Sequence, residues 1–350
     1  MTLQSSGAIS LDDIHEELGE SSGTTVSLGD DDVRDLADDT DGAISMNTFY
    51  GKSDVPPVAR AIFASGAPSS PNVMDYVTVN STGNASDFGD LAQPGQYCRG
   101  AASKTRAIFR TDAGYGNVHY VTIASTGNSS SHSTITYGAQ AGGAACSDGV
   151  YAYYGGGIGS APTAPYSTQS YGDVHQETIA STGGSWDVWG TMTVTRYLNQ
   201  AASSSTRKVM ASGVILNGGN TTSIQYRDGT SSGYFSNFGT LVSGGEDGSA
   251  CANETRMLMS VGGSASVAAK TVHYITIAST GNSTDYGDLT ADRSQGTAES
   301  STTRAIFGGG HNSQTQIQYR AIASTGNYSN FGDLTVGRHR LGSACTTPGS

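Results

Sequence analysis

The sequence is poor in charge and in long apolar runs, and each shortage excludes a class of protein. Charged residues make up only 14% of the chain, and no stretch is rich in lysine or arginine. A protein that binds a nucleic-acid backbone needs such a stretch, so this partner is not expected. No run approaches the roughly 20 apolar residues that cross a bilayer, and the chain does not start like a signal peptide. We therefore expect synthesis in the cytoplasm, a soluble chain and no membrane insertion.

Cysteine is also scarce. The four cysteines, Cys98, Cys146, Cys251 and Cys345, are 48, 105 and 94 residues apart, which excludes a local Cys-x-x-Cys metal site. The last three follow small residues in matching contexts and are predicted to occupy equivalent positions of a repeat. Because free cysteine is among the most buried residue types, we expect reduced thiols that fill small spaces in a core.

The charge that is present is unevenly placed. Residues 1–54 hold 13 acidic residues against Arg34 and Lys52, a net charge of −11, whereas residues 55–350 hold 17 acidic and 16 basic residues, a net charge of −1. The sequence therefore predicts an acidic N-terminal attachment domain, a stiff proline linker at 55–57 and a nearly neutral body at 58–350.

The acidic domain contains three short units that begin at Ala8, Thr25 and Ala43. Each has a β-prone pair, a serine that can cap a helix and one helical turn. Ser10 and Asp13 resemble a capping box, and acidic residues suit the first turn of a helix. Elements this short bury little surface alone, so we predict that the domain docks onto another surface. The predicted docking residues are Ile9, Leu11, Ile14, Val33, Leu36, Ile44, Met46, Phe49 and Tyr50.

The body is dominated by a longer repeat. Tyr-x-Thr-Ile-Ala-Ser-Thr-Gly-Asn at residues 274–282 is followed by Tyr-Gly-Asp-Leu-Thr at 286–290, and both pieces recur. The Ser-x-Gly turns of successive copies are 44, 56, 50, 48 and 45 residues apart. Six copies at this period indicate a stacked or radial repeat fold.

Each unit contains four strand-length pieces: Arg-x-Ile-Phe running into glycines, an aromatic strand, the Phe-Gly-Asp-Leu-Thr piece and a strand of small residues. Four strands in about 48 residues are typical of a propeller blade. The sequence therefore predicts an all-β, six-bladed β-propeller over residues 58–350. The C-terminal small strand is expected to complete the first blade, and the small strands are expected to line the axis.

The order of these pieces resembles the kelch repeat of β-propellers over residues 58–350. The sequence departs from kelch in having phenylalanine or tyrosine where kelch usually has tryptophan, and in its shorter glycine runs.

One position of the repeat is polar in all six units. A single polar residue between apolar neighbours is expected to face solvent, and residues on separate blades lie too far apart to share a metal. The six residues are Asp75, His119, His175, Gln225, His273 and Gln318.

The longest interval between copies holds an aromatic-rich insertion with Pro162 and Pro165. An aromatic loop on a rigid scaffold is a common recognition surface, including for sugars, and simple loop packing is the alternative. We find no catalytic, cofactor-binding or metal-binding constellation, and an enzyme is not expected. The candidate ligand-binding residues are Tyr151, Tyr153, Tyr154, Tyr166, Tyr171, Trp186 and Trp189.

Residues 6–14 and 44–53 resemble the N-terminal segment of tail and other virion proteins of tailed bacteriophages, notably marine and cyanobacterial ones. The Tyr-x-Thr-Ile-Ala-Ser-Thr-Gly-Asn repeat is similar to repeats in the same proteins. The resemblance implies a tail fibre or baseplate component, on the virion, that docks on other virion proteins through residues 1–54. The propeller would be displayed, as a homo-oligomer on the particle, for a host-surface glycan or protein. A capsid decoration protein, a glycan-acting propeller enzyme and a cellular kelch-like scaffold are the alternatives.

Overall fold

The structure is a computed structural model that describes residues 3, 7–17, 27–37, 43–49, 59–69, 71–112, 116–135, 141–160, 168–184, 186–263 and 269–345. The chain divides into two compact units, Met1–Pro57 and Val58–Ser350.

The first unit contains helices α1 (Leu11–Glu17) and α2 (Asp31–Ala37) and a 3-10 helix at Met46–Phe49. The capping box at the start of α1 is confirmed. The Ser10 N–H donates to the Asp13 carboxylate at 2.7 Å, and the Asp13 N–H donates to the Ser10 hydroxyl at 3.1 Å. The Ser27 N–H donates in the same way to Asp30 at 2.8 Å.

Four of the nine predicted docking residues form the core of this unit instead. Ile14, Val33, Leu36 and Phe49 are buried against one another. The docking prediction is therefore wrong for these four, because the short elements share one core rather than each needing a partner. Leu11 is 40% exposed. Around that core Ile9, Ile44 and Met46 are partly buried, and Tyr50 lies outside the described residues.

The described part of the second unit forms 29 short strands. Those of its first half are β1 (Arg60–Ala64), β2 (Val73–Thr78), β3 (Ser86–Asp90), β4 (Arg99–Ala102), β5 (Arg106–Arg110), β6 (Asn117–Thr122), β7 (Ser130–Thr134), β8 (Ala144–Ser147), β9 (Tyr151–Gly155), β10 (Ile158–Ser160), β11 (Thr168–Ser170), β12 (Asp173–Thr178) and β13 (Asp187–Thr191). Those of its second half are β14 (Gln200–Ser203), β15 (Arg207–Ala211), β16 (Val214–Ile215), β17 (Gly219–Asn220), β18 (Ser223–Asp228), β19 (Gly233–Tyr234), β20 (Ser236–Thr240), β21 (Ala250–Ala252), β22 (Arg256–Ser260), β23 (Ala269–Thr276), β24 (Thr284–Arg293), β25 (Thr297–Ser300), β26 (Arg304–Gly308), β27 (Gln316–Ala321), β28 (Ser329–Asp333) and β29 (Gly342–Cys345).

Twenty-five of these strands form six sheets, the blades, each ordered from an inner strand of small residues to an outer strand, and all pairings within them are antiparallel except that of β13 with β19. Blade 1 has the order β29-β1-β2-β3, and blade 2 the order β4-β5-β6-β7. Blade 3 (β8-β9-β12-β13) is extended by β19, and blades 4, 5 and 6 are β14-β15-β18-β20, β21-β22-β23-β24 and β25-β26-β27-β28. Two small hairpins, β10-β11 and β16-β17, lie outside the blades.

The predicted closure of the ring is confirmed. The C-terminal strand β29 pairs antiparallel with β1, with Cys345 opposite Ala61 and Gly342 opposite Ala64. The first and last strands of the propeller therefore belong to the same sheet, blade 1, which closes the ring.

The asparagine turns and the outer strands of the repeat meet between blades. The Asn84 side-chain oxygen in blade 1 accepts a hydrogen bond from the N–H of Asp333 in blade 6 at 3.1 Å, and the Gly83 N–H donates to the Phe331 carbonyl at 2.9 Å. The asparagine contact recurs at three further interfaces, at 2.9–3.0 Å. The repeat thus joins neighbouring blades through a contact between the asparagine turn of one blade and the outer strand of the next, which we call the asparagine clasp.

A second link comes from the arginine that begins the second strand of five blades. Its guanidinium lies 4.2–4.8 Å from the ring centroid of a tyrosine in the same blade and donates to carbonyls of the next blade, as Arg304 does to Val79 at 3.1 Å. Blade 3 lacks this pair, since Tyr151 and Gln176 occupy the two positions.

The cysteine prediction is confirmed in one part and wrong in another. All four thiols are free and buried. Cys146 and Cys251 lie opposite Tyr153 and Leu258, which are equivalent residues, but Cys345 lies opposite Ala61, one residue further along. The small residues that flank each cysteine therefore do not define its position along the inner strand.

Candidate functional site

The aromatic residues of the insertion do not form an exposed surface. Tyr153, Tyr154, Trp186 and Trp189 are each at most 7% exposed. The ligand-binding prediction is wrong for these four, because their rings fill the interfaces of blade 3. Tyr151 and Tyr171 are partly buried, and Tyr166 lies outside the described residues.

Between blades 3 and 4 the aromatic rings surround a buried ion pair. Lys208 occupies the position of Ala61, and its Nζ lies 2.8 Å from the Asp148 carboxylate. The Tyr153 hydroxyl donates to the same carboxylate at 2.8 Å. The ammonium also lies 4.7 Å and 5.7 Å from the ring centroids of Tyr153 and Trp189. The aromatic residues Tyr153 and Trp189 therefore stabilise the buried Lys208 ammonium, and their role is structural.

Between blades 2 and 3 the asparagine clasp is replaced by a buried polar cluster. Glu177 accepts a hydrogen bond from the Ser133 hydroxyl at 2.5 Å, and its Oε2 lies 3.7 Å from His132 Nε2. Trp186 Nε1 donates to the same hydroxyl at 3.0 Å. Burial raises the pKa of Glu177 to about 7 and lowers that of His132 to about 4, with Arg106 contributing to the shift of His132.

The polar repeat position was predicted to face solvent, and this is wrong. Five of its six residues are buried and only His119 is partly exposed. The reason is that each face of a blade is covered by a neighbouring blade. Asp75, for example, pairs with Arg338 at 2.7 Å, and both side chains are fully buried.

Six equivalent residues surround the propeller axis, two residues before each inner strand or its equivalent, and backbone hydrogen bonds join five of them in a chain. The six residues of this axial ring are Tyr97, Gly142, Leu198, Asp247, Gln295 and Arg340. Gly142 has a φ of 70°, and the five others have left-handed φ values of 47° to 59°. The N–H groups of Leu198, Asp247, Gln295 and Arg340 donate to the carbonyl of the preceding ring member at 2.5–3.1 Å.

The side chains of the axial ring are retained at an energetic cost. A left-handed backbone costs a non-glycine residue roughly 1 kcal/mol, and glycine avoids this cost. Gly142 demonstrates that glycine fits the position. Five strained residues at equivalent positions therefore point to a role for their side chains.

Four consecutive members of the ring are polar and contact one another in pairs. Gln295 donates to the Asp247 carboxylate at 3.1 Å. The Arg340 guanidinium lies 4.5 Å from the Tyr97 ring centroid and donates to the Gln96 side chain at 3.1 Å. Burial raises the pKa of Asp247, and the charges of Arg99 and Arg340 oppose this shift.

A cavity of about 100 Å³ lies along the axis and is lined by the six inner strands, beginning next to the axial ring. This confirms that the small-residue strands line the axis. Each inner strand is the edge of its sheet, so its free backbone groups provide donors and acceptors. Gln200, which lines the cavity, donates to the Ser260 carbonyl at 3.0 Å, while its buried Oε1 has no partner.

The axial ring was not predicted from the sequence. A signal was present, because in three blades the ring residue follows a repeated arginine by two positions, at Arg196, Arg293 and Arg338. Left-handed positions are normally recognised by glycine, and only one of the six carries it.

The inner strands carry one acidic residue, the partly buried Glu299, among their described residues. It occupies the position of Cys146 and Cys251 and lines the axial cavity beside Ser343. Burial raises the pKa of Glu299 to about 8, and a hydrogen bond with Ser343 offsets part of this shift.

We expect Glu299→Gln to stabilise the propeller at pH 8. The folded wild-type protein retains a proton on Glu299 that the unfolded chain releases above about pH 4.5, so wild-type stability falls as pH rises from about 4.5 to 8. The variant lacks this loss and should gain roughly 3 kcal/mol at pH 8 and little at pH 4. Thermal unfolding at both pH values measures the difference.

The control for this prediction is Glu254→Gln, since Glu254 is exposed. Its stability should follow that of the wild type at both pH values. An equal gain from the two variants, or a gain from Glu299→Gln that does not depend on pH, would contradict the prediction.

Within the described residues there is no group of three or more His, Cys, Asp or Glu side chains that could hold a metal ion. The described helices are all too short to cross a membrane.

No protein-family model matches the chain, and no curated protein is similar to it in sequence. The solved structure of YjhT is similar in fold, with a TM-score of 0.61 and 12% sequence identity, over 73% of this chain and 89% of that chain. At this identity the similarity concerns the fold alone. Together with the six closed sheets, it shows that the second unit is a six-bladed β-propeller.

Proposed function

We propose that the chain is a structural virion protein of a tailed phage, a tail fibre or baseplate component. Its acidic first unit attaches to the particle and its propeller is displayed for binding at the host surface. The observation that carries this proposal is the division into two compact units with separate cores and very different charge. The resemblance of residues 6–14 and 44–53 to virion proteins supports the same assignment.

The contacts that the repeated residues make between blades also support a display role. Its asparagine turns, outer strands and arginines join the blades to one another. The repeated residues therefore act as scaffold, which leaves the ends of the axis for recognition. This division of labour suits a rigid protein that presents one site.

We expect Leu11→Asp to reduce the incorporation of the chain into particles by about tenfold or more, since loss of an apolar anchor commonly costs an interface more than 1.4 kcal/mol. Among the predicted docking residues that the structure describes, Leu11 is the exposed one. The measurement is a quantitative immunoblot of particles purified from a phage that carries the substitution.

The matched control is Val336→Asp, which changes an exposed valine of the propeller that is 43% exposed. It should leave incorporation unchanged. Circular dichroism of both isolated variants establishes that each is folded. Normal incorporation of Leu11→Asp, or an equal loss from both variants, would overturn the assignment of the first unit as the attachment domain.

A glycan-acting enzyme is the second candidate, and the buried Asp247 in the polar half of the axial ring favours it. A carboxyl group with a raised pKa is suited to proton transfer. Release of reducing ends from surface polysaccharides by the wild-type protein would favour this candidate over simple display.

A further inference from the structure

We infer that the axial ring and the adjoining cavity bind a single uncharged sugar, the terminal residue of a glycan. This inference names a ligand class for the display role and rests on that proposed function for its biological meaning. The binding itself is a property of the isolated chain and can be measured without the particle.

The backbone of the ring is the first step of the argument. Five equivalent positions hold non-glycine residues in a left-handed conformation that glycine adopts without strain. A purely structural ring of backbone hydrogen bonds needs no side chains, as Gly142 shows. The strained residues are therefore kept for what their side chains contact.

The chemistry of the ring is the second step. Its polar half is formed by Asp247, Gln295, Arg340 and Tyr97 in consecutive blades, and the remaining members are Gly142 and Leu198. This half offers carboxylate and amide acceptors, guanidinium and amide donors, and an aromatic ring. Sugar recognition uses this combination, since each hydroxyl both donates and accepts a hydrogen bond.

The charge balance favours an uncharged ligand. Three arginines face three carboxylates here: Arg99 and Arg340 act on Asp247, Arg110 and Arg340 act on the exposed Asp112, and Glu246 interacts with Asp247. No excess of positive charge is therefore left to attract an anion. An ionised sugar would lose hydration without gaining a free counter-charge.

Unsatisfied polar atoms supply an independent observation. Gln200 is 2% exposed and lines the cavity, and its Oε1 has no hydrogen-bond partner. The Arg340 Nε is likewise buried without a partner. The cavity thus offers a free acceptor on Gln200 and the axial ring a free donor on Arg340, and these are the groups that a ligand hydroxyl satisfies.

The test uses the full chain and measures the binding of the methyl glycosides of glucose, galactose and mannose, with galacturonate as a charged probe. Saturation-transfer NMR detects binding and calorimetry gives Kd. We expect at least one neutral glycoside to bind. Gln295→Gly and Arg340→Gly should each weaken it by at least tenfold while the thermal midpoint stays unchanged or rises.

The matched control is Asn217→Gly. Asn217 is also left-handed, with a φ of 62°, but it lies in the turn between β16 and β17. It should bind sugar as the wild type does. Three results would overturn the inference: no neutral glycoside binds, galacturonate binds more tightly than the galactoside, or the two ring variants keep wild-type affinity. A lower thermal midpoint for both ring variants would also overturn it, because the ring side chains would then be structural.

This result is separate from the test of the attachment role. Loss of sugar binding in Gln295→Gly leaves particle incorporation unaffected, and normal incorporation of Leu11→Asp leaves sugar binding unaffected. Failure of one proposal is therefore distinguishable from failure of the other.

Discussion

Replacing Gly332 by alanine is expected to destabilise the propeller by about 3 kcal/mol or more, whereas Gly83→Ala should change stability by less than about 0.5 kcal/mol. These glycines face each other across the interface between blades 6 and 1. Gly332 has a φ of 157°, and an added Cβ would collide with the Gly83 carbonyl. Both groups belong to backbone held by the clasp, so neither can move at low cost.

Gly83 provides a matched control within the same contact. An added Cβ there meets nothing within 4 Å. Thermal unfolding of the two variants should show a midpoint lowered by roughly 5–10 °C for Gly332→Ala and little change for Gly83→Ala. Equal midpoints for the two variants would contradict the conclusion that the close approach of Gly332 to the Gly83 carbonyl stabilises the propeller.

The same reasoning applies at three other interfaces. An alanine at Gly89, Gly239 or Gly287 would also meet the carbonyl of the glycine in the facing turn. Similar losses at these positions would show that the ring is stabilised evenly. A much larger loss at Gly332 would indicate that the closing interface is the weakest.

Arg338→Met is expected to destabilise the propeller by about 3–5 kcal/mol, because it leaves the Asp75 carboxylate buried without its partner. The Arg338 guanidinium bonds Asp75 at 2.7 Å and donates to the Val73 carbonyl at 3.2 Å. Burial raises the pKa of Asp75, and Arg338 opposes that shift. Urea unfolding of the wild type and the variant gives the difference.

A double-mutant cycle separates the charge from the packing. Asp75→Gln installs the residue that blades 4 and 6 already carry at this position, and it should cost only about 1 kcal/mol. In blade 4 the equivalent Arg196 is held by backbone carbonyls of Ser212 and Ser223, at 3.1 Å and 2.7 Å. Arg338→Met should therefore cost less in the Asp75→Gln background. Strictly additive effects would contradict this account.

The overall fold could be predicted because the same pattern of strands recurs along the sequence. The six copies, the four pieces per copy and the C-terminal small strand were sufficient for blade number and closure. The register of the cysteines could not be predicted, because neighbouring small residues are interchangeable along an inner strand. A difference of one residue, as at Cys345, leaves the local composition unchanged.

The site predictions failed where a propeller differs from an ordinary sheet. Alternating polar and apolar residues normally separate a solvent face from a core face. In this fold both faces of each blade are covered, so polar residues such as Gln318 are buried and bond to the neighbouring blade: the Thr290 N–H donates to its side chain at 2.6 Å. Likewise the aromatic residues of blade 3 replace the missing arginine–tyrosine pair rather than forming an exposed surface.

The most direct test of the proposed function is an electron cryo-microscopy map of the virus particles that we propose contain the chain. We expect density for residues 1–54 in contact with another virion protein, and a six-bladed ring held by the particle only through that unit. Particles without the chain, or a propeller bound to the particle through its blades with the acidic unit free, would contradict the proposed role.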